Sequence, residues 1–466
     1  MDIPVFHLDF LNNRVLIAVI AILHVVINHA MAVGGIPLVS YLERRSLRTG
    51  DPAWDQLAFR ILTVFFVITT TIGALTGVGI WFSASLVNPY AIGSLLRVFF
   101  WTWFVEWLVF VTEVVLILAY YLTWKTWTGD RKAAHVRLGV ILSFASWATM
   151  ALIVSILSFM MDPGSWRSDK SLLSGMLNPV YLPQLAFRTP LAMVMAGAFG
   201  LLSLIGCTDK GSQLRRQAVR TLSKWILAWT IPCVVAGAWY ARVIPKAMMT
   251  NLSVALLTQA LQAWSQSALW VLAGAGIMLA AAALLGMLRP SIVRSWLLAV
   301  PAVLSVLLIG TYERVREFIR KPYAIADYLY SNGVRKADYP LLQRDGLLTH
   351  ATYTSVRQVT AENQVAAGRE VFVLACTRCH TVDGVNGMRS VLSTMYGDKT
   401  RWDREAIASY IGAMHNARPF MPPFPGSDRE RSALAAYLAQ LQFHRDSIEG
   451  AQNTGAIALP RPAPRQ

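Results

Sequence analysis

The sequence predicts an all-α protein, a polytopic membrane bundle of about eight helices followed by a small helical domain. Two observations carry this prediction. Of the 466 residues, 55% are apolar and only 15% are charged, whereas soluble globular chains average about 25% charged residues. The apolar residues also fall into eight stretches, each long enough, at about 20 residues, to cross a bilayer as a helix. This composition excludes a purely soluble enzyme, a disordered chain and a disulfide scaffold.

The eight predicted spans cover residues 14–42, 57–82, 93–124, 135–161, 183–207, 218–241, 253–287 and 293–316. The seventh is long enough to be tilted or partly interfacial. The first lacks the basic leader and clean cleavage site of a signal peptide, so we expect it to remain as an anchor. The predicted organisation is a membrane domain (1–325), a connector (326–355), a C-terminal domain (356–445) and a tail (446–466) that we expect to be disordered because it lacks apolar periodicity.

The basic residues alternate between the two ends of the spans. The formal net charge is +16, and residues 351–466 account for only +3 of it, so most of the excess lies in short membrane loops. Fourteen basic residues lie at one end: Arg44, Arg45, Arg48, Lys125, Arg131, Lys132, Arg137, Lys210, Arg215, Arg216, Arg220, Lys224, Arg289 and Arg294. Four lie at the other: Arg167, Lys170, Arg242 and Lys246. Because cytoplasmic loops carry the Lys and Arg excess, both termini are predicted to lie outside the cytoplasm, and nucleic acid is not an expected partner.

The C-terminal domain contains the run Cys376-Thr-Arg-Cys379-His380. C-x-x-C-H is the attachment signature of a c-type haem, in which two thiols form thioether bonds and the histidine ligates iron. Met421, in Phe420-Met421-Pro-Pro-Phe424, is the expected second axial ligand; Met414 and His415 are the alternatives. We therefore predict one covalently attached haem c, with His380 and Met421 as its iron ligands.

The position of this haem supports the topology. Haem c is attached outside the cytoplasmic membrane, which agrees with the direction derived from loop charges. We expect a multi-pass protein of the bacterial inner membrane, with its N-terminus and haem c domain on the periplasmic side. Gly368-Arg-Glu-Val-Phe372 and Ser432-Ala-Leu-Ala-Ala-Tyr437-Leu438 resemble the first and last helices of class I cytochromes c.

Histidine counts exclude two families of respiratory membrane proteins. Of eight histidines, only His24, His29 and His135 lie in or near predicted spans. Haem-copper oxidases and their relatives need about six intramembrane histidines, and the cytochrome b of bc-type complexes needs two spaced pairs on two helices.

Residues 8–325 resemble subunit I of cytochrome bd-type quinol oxidases. The matching features occur in the family's order: Arg14 ten residues before His24, the pair Glu106 and Glu113, Leu177-Asn-Pro-Val180, and Ile319-Arg-Lys-Pro-Tyr-Ala-Ile325 with Glu317 upstream. The resemblance implies that His24 ligates a haem of the oxygen-reducing site. It also implies that Glu106 and Glu113 serve proton delivery or contact a haem, and that a haem b accompanies haem c.

The sequence also differs from that family at specific positions. The histidine that ligates its low-spin haem falls on Phe187 or Arg188, and residues 260–268 hold no Met to complete the pair. Its acidic ligand on the eighth span falls at Gly310, with Glu313 one turn further. The quinol-binding loop shrinks to residues 242–252, and the haem c domain replaces the ninth span. We expect the low-spin haem and the usual quinol site to be absent, while the haem position at His24 is retained.

Structural roles compete with these assignments. His24 could be a neutral histidine bonded to a neighbouring helix. His29 lies about 140° further around the helix, so the two cannot share one iron, and we expect it to line a pore or to have a protein partner. Arg188 could pair with a haem propionate or with Glu106. His135 is expected at the membrane interface.

Three functions are compatible with the sequence. The favoured one is a membrane-bound electron-transfer subunit that passes electrons through periplasmic haem c, to or from a bd-oxidase-like membrane domain. The alternatives are a terminal oxidase fed through haem c and a haem-free anchor that docks haem c onto a dehydrogenase. The expected partners are the membrane, a second integral membrane subunit, and a periplasmic redox protein or dehydrogenase; the sequence leaves quinone binding open.

Overall fold

A computed structural model describes residues 6–443, excepting the side chains of residues 259 and 260; the predicted tail 446–466 lies outside the described residues. Eight helices in this part of the chain are long and apolar enough to cross a membrane, which confirms the predicted fold class. They are α1 (Asn13–Thr49), α2 (Pro52–Val87), α3 (Phe100–Thr123), α4 (Gly129–Phe159), α5 (Tyr181–Cys207), α6 (Gln213–Val243), α7 (Leu261–Leu288) and α8 (Ser295–Ile319).

In two of the predicted spans the helix begins several residues later in the structure than predicted. The third was predicted to begin at residue 93, but Pro89–Val98 forms a separate helix and α3 begins at Phe100. The seventh was predicted over 253–287, but α7 begins at Leu261 and ends at Leu288. The connection between α6 and α7 therefore covers residues 244–260, rather than 242–252, and includes the short helices Lys246–Met249 and Leu252–Leu256.

The membrane core lies where α1, α2, α5 and α6 pack together. Leu38, Phe65, Leu201 and Leu222 are almost completely buried there. Gly34 allows the closest approach, since a Cβ at this position would fall on the carbonyl group of Ala192 in α5. The same core also contains Leu142 of α4, Leu279 of α7 and Ile309 of α8, while α3 remains largely exposed along its length.

The C-terminal part is a small helical domain with one short antiparallel ribbon. Its elements are β1 (Tyr323–Ile325), β2 (Leu329–Tyr330), α9 (Tyr339–Asp345), α10 (Gln364–Ala375), α11 (Met388–Tyr396), α12 (Arg404–Ala417) and α13 (Asp428–Gln440). Phe372, Leu392, Trp402 and Tyr437 form a core separate from that of the membrane bundle. Residues 6–19, 81–93 and 321–443 form one compact unit, and residues 20–80 and 94–320 form the other.

Helices α10 and α13, which the sequence assigns to the two ends of a cytochrome c domain, pack directly against each other. A Cβ at Gly368 would fall on the carbonyl oxygen of Ala433, so only glycine permits this approach. Next to this contact the rings of Phe372 and Tyr437 lie with centroids 5.7 Å apart.

The connector packs into the same core. Glu430 is buried and accepts hydrogen bonds from the backbone N–H groups of Leu347 at 2.8 Å and Leu348 at 2.7 Å. It also completes a capping box with Ser427 at the start of α13. These hydrogen bonds attach the connector to α13. Helix α9, which lies in the connector, therefore belongs to the same domain as the haem motif.

Candidate functional site

The haem-attachment motif begins immediately after α10. The backbone N–H groups of Cys379 and His380 donate to the carbonyl oxygen of Cys376 at 3.1 and 3.0 Å, which folds the motif into a single turn. Both cysteines are free. Burial and the adjacent Cys379 raise the pKa of Cys376 to about 12, which keeps its thiol protonated. Two free thiols on one turn fit the two vinyl groups of a c-type haem.

The imidazole of His380 is oriented by the loop that follows it. Its Nδ1 donates to the carbonyl oxygen of Asn386 at 3.3 Å, and the amide of Asn386 donates to the carbonyl oxygen of Cys379 at 2.8 Å. Burial, together with the positive charges of Arg14 and Arg418, lowers the pKa of His380 to about 4. The ring is therefore neutral, with Nε2 as its remaining donor to iron, which is the state that a histidine ligand requires.

Arg378, between the two cysteines, anchors the motif. Its guanidinium group is buried and donates to the carbonyl oxygens of Val87 at 2.9 Å, Leu374 at 2.8 Å, and Asn332. Gly333 has a φ of +82°, and a Cβ there would lie 2.9 Å from the guanidinium carbon. Sequence reasoning missed this residue because two of its three acceptors are remote in the chain.

Three side chains fix the loop that carries Met421. His415 donates from Nδ1 to the Met421 carbonyl oxygen at 2.6 Å. From α9, the hydroxyl of Tyr339 donates to the carbonyl oxygen of Pro423 at 3.0 Å and the amide of Gln343 to that of Phe424 at 3.1 Å. His415 thus has a role in holding this loop, and Met421 stays the predicted second axial ligand.

His24 lies on α1 with its ring turned toward α2. Its Nδ1 lies 3.2 Å from the carbonyl oxygen of Gly73 and 3.3 Å from the hydroxyl oxygen of Thr76. A Cβ at Gly77 would lie 3.1 Å from Cε1, so glycine leaves room beside the ring. The contact with Gly73 places the proton on Nδ1 and leaves Nε2 to bind iron. His24 is therefore compatible with ligation of a haem b, and equally with the structural alternative of a neutral histidine bonded to a neighbouring helix.

Glu106 and Glu113 lie two turns apart on one side of α3. Glu113 accepts hydrogen bonds from the hydroxyl groups of Ser146 and, at 3.1 Å, Thr149 of α4. Glu106 forms no hydrogen bond with any residue in the described part of the chain. Carboxylates within a membrane are costly and generally functional. The structure thus brings together Glu113 and α4, but does not bring His24 and the two glutamates into hydrogen-bond contact.

Arg188 pairs with Glu313 rather than with Glu106. Its guanidinium group donates to Glu313 of α8 and, at 3.2 Å, to Nε2 of His29, while Arg316 donates to the second oxygen of Glu313 at 2.9 Å. The expected pair with Glu106 is therefore wrong, because the carboxylate that this buried guanidinium group requires is supplied by Glu313. His29 is buried and has Arg188 as its protein partner, which is one of its two expected roles.

The place of the family's low-spin haem ligand is filled by side chains. The ring of Phe187 packs against Tyr240 and Tyr312, with centroids 6.0 and 5.2 Å apart. A Cβ at Gly237 would lie 3.2 Å from the same ring. Because Arg188 pairs with Glu313 and Phe187 packs against aromatic rings, neither residue fits the ligand of a haem at this position.

A second buried polar cluster lies where α1, α3 and α4 meet. Glu43 accepts hydrogen bonds from Tyr120 at 2.6 Å and Lys132 at 2.7 Å, and its carboxylate also contacts Nδ1 of His135. The other ring nitrogen of His135 donates to the carbonyl oxygen of Tyr120 at 2.9 Å. His135 is completely buried in this cluster, near the start of α4.

Comparisons with known proteins match both parts of the chain. Residues 13–255, more than half of the chain, match the family model of cytochrome bd terminal oxidase subunit I. Residues 363–438 match the model of cytochrome c oxidase, cbb3-type, subunit III. The solved structure of bd oxidase from Geobacillus thermodenitrificans is similar in fold, with a TM-score of 0.56 and 17% identity over 68% of this chain and 89% of that chain. No curated protein sequence matches significantly.

Proposed function

Because the chain belongs to the cytochrome bd terminal oxidase subunit I family, we propose that it is a membrane-bound subunit that transfers electrons between haem c and a haem in its membrane domain. Two features support this proposal: a membrane domain of an oxidase family, and a haem c domain in the same chain. The haem would be held by Cys376, Cys379, His380 and Met421, and it supplies a one-electron redox centre when bound.

The observation that carries the proposal is the attachment of the haem motif to the ends of α1 and α2. Arg378 donates to the carbonyl oxygen of Val87, the last residue of α2. The amide of Asn12, which precedes α1, donates to the carbonyl oxygen of Val385 at 3.3 Å, and the N–H of Val385 lies 3.4 Å from the carbonyl oxygen of Phe10. Both contacts lie within the compact unit that contains the haem motif, and they attach this motif to the segment that leads into α1 and to the end of α2.

His24 is the proposed ligand of a haem b in the membrane domain. Its Nε2 would hold the iron, while Gly73 and Thr76 orient the ring and Gly77 leaves space beside it. Glu113, with the hydroxyl groups of Ser146 and Thr149, is the proposed carrier of protons to this region, and Glu106 is its proposed neighbour in that role.

The proposed location is the bacterial inner membrane, with the haem c domain on the periplasmic side. Eight spans return the chain to the side at which it entered, and the excess of basic residues at the opposite end indicates the cytoplasm. The partners that suit this topology are a second integral membrane subunit and a soluble redox protein or dehydrogenase outside the membrane.

The decisive experiment is a haem inventory of the purified protein combined with rapid reduction kinetics. We expect one covalent haem, retained in a denaturing gel, and at least one extractable haem b. Electrons delivered to haem c by a reduced mediator should then appear on haem b.

Each competing function predicts a different result. Haem c alone would contradict electron transfer within the chain and support the anchor. A high-spin haem that binds CO, together with oxygen consumption by the chain, would instead establish the terminal oxidase fed through haem c.

A further inference from the structure

A large cavity opens at one end of the membrane bundle, and the residues that line it are remote in sequence from the haem motif. It has a volume of about 1100 Å³ and lies between the end of α1, the start of α6 and the end of α7. Five basic side chains line it: Arg45, Arg216, Arg220, Lys224 and Arg289. We call it the basic cavity. All five belong to the set of fourteen basic residues that indicates the cytoplasmic side.

In the described part of the chain, no carboxylate neutralises these five charges. Within residues 6–443, none of the five forms an ion pair with Asp or Glu. The one acidic residue that lines the cavity, Asp51, caps α2 by accepting a hydrogen bond from the N–H of Ala53 at 2.9 Å. Like charges gathered at the edge of a low-dielectric region repel one another, and a bound anion would remove that cost.

The contacts that these cations do make orient them without cancelling their charge. The guanidinium group of Arg45 lies 4.3 Å from the centre of the Trp54 ring. Arg220 donates from Nε to the carbonyl oxygen of Met287 at 3.1 Å, and Arg216 donates to that of Gly211. Arg220 therefore keeps its terminal N–H groups available to an anion.

Apolar surface continues from the cavity toward the hydrocarbon region. Tyr41 and Trp225 line its wall with ring centroids 5.3 Å apart, and the indole N–H of Trp225 donates to the carbonyl oxygen of Met193 at 2.8 Å. Further along α6, Ile231 and Val235 are exposed by 70% and 65%. A ligand in the cavity would thus meet positive charge at one end and apolar side chains at the other.

We propose that the basic cavity binds the phosphate headgroup of an anionic phospholipid, with the acyl chains lying along the exposed surface of α6. The arrangement of cations at a membrane interface beside aromatic and aliphatic side chains matches this amphipathic ligand. A free phosphate ion would use the charges but not the apolar wall. This inference does not depend on the haem content of the protein.

Direct lipid binding tests the proposal. The full-length protein in neutral detergent is titrated with fluorescent phosphatidylglycerol, and with phosphatidylcholine as the uncharged comparison. The wild type should prefer phosphatidylglycerol, and Arg216→Gln/Arg220→Gln/Lys224→Gln should weaken its binding about a hundredfold, since each basic group near a membrane surface contributes about 1 kcal/mol. The matched control Arg44→Gln/Arg48→Gln/Arg131→Gln removes the same charge at the same end and should retain the affinity.

Three outcomes would overturn the proposal. Equal loss in the two triple variants would assign the effect to general surface charge. Displacement of the lipid by millimolar inorganic phosphate would assign the site to a free anion. A co-purified polypeptide lost only from the first triple variant, with no lipid bound, would make the cavity a subunit interface. If the triple variant does not fold, the single variant Arg289→Gln carries the same comparison, because its side chain makes no hydrogen bond with a described residue.

Discussion

Met421 is held through its backbone by residues that belong to two different segments. His415 of α12 donates to its carbonyl oxygen, while Tyr339 and Gln343 of α9 hold the next residues of the loop. The connector thereby contributes to the environment of the predicted second axial ligand. This arrangement separates Met421 from the alternatives Met414 and His415 in a testable way.

We predict that Met421→Ala removes the sulfur-to-iron charge-transfer band of the oxidised protein and lowers the midpoint potential of haem c, because a Met/His pair raises it. His415→Ala should retain the band, although the loop loses one hydrogen bond. Optical spectroscopy and a redox titration measure both effects. If His415 or Met414 were the ligand, the Met421 variant would keep the wild-type spectrum.

Several residue assignments were accessible from the sequence and others were not. The C-x-x-C-H spacing defines Cys376, Cys379 and His380 locally, so no tertiary information is needed. Arg378 and Tyr339 act through remote backbone carbonyl groups, at Val87 and Pro423, which no local pattern reveals. For the same reason, Arg188 could not be assigned to Glu313, which lies 125 residues further along the chain.

At the scale of elements, the contact of α10 with α13 depends on the absence of one side chain. Gly368→Ala should destabilise the C-terminal domain by about 1–3 kcal/mol, because the added methyl group forces the helices apart at Ala433. Gly412→Ala is the matched control within α12, where the new Cβ meets only the flexible side chain of Arg431. Chemical denaturation followed by haem absorbance gives both values; an equal loss in the two variants would refute the close-packing argument.

Helices α5 and α8 are joined through a carboxylate that has two guanidinium partners. Glu313→Gln leaves Arg188 and Arg316 without their anion and should destabilise the bundle by about 3–5 kcal/mol. Arg188→Met should cost less, because Glu313 retains Arg316. Thermal unfolding in detergent provides the comparison. A greater loss in the Arg188 variant would show that the guanidinium group, and not the carboxylate, is the centre of this cluster.

Element boundaries show where sequence periodicity was insufficient. Apolar content alone predicted all eight spans, but it extended the seventh over residues 253–260, which form a short helix and a turn in the structure. The break at Phe99 between Pro89–Val98 and α3 was missed because both sides are apolar. Hydropathy therefore predicts that a helix crosses the membrane more reliably than where it begins.

For the whole molecule, the central question is whether the membrane domain holds a haem of its own. The place that the resemblance gives to the low-spin haem is filled by Phe187 and the Arg188–Glu313 pair, so that position does not supply one. His24 is then the remaining candidate for a haem ligand in the membrane domain. It lies eleven residues after the start of α1, about 16 Å along the helix axis. Within residues 6–443 its Nε2 has no hydrogen-bond partner, and Gly77 lies beside the ring.

We therefore predict that His24→Ala abolishes the extractable haem b and leaves covalent haem c unchanged, because the variant removes the iron ligand but not the C-terminal domain. Leu23→Ala is the matched control on the same helix, since Leu23 is exposed and should not affect either haem. A pyridine haemochrome assay before and after acid-acetone extraction measures both haems. Haem b retained at the wild-type level in the His24 variant would place its ligand elsewhere. Wild-type protein with haem c alone would show instead that His24 has only its structural role between α1 and α2, and the chain would then act as an anchor for its cytochrome domain.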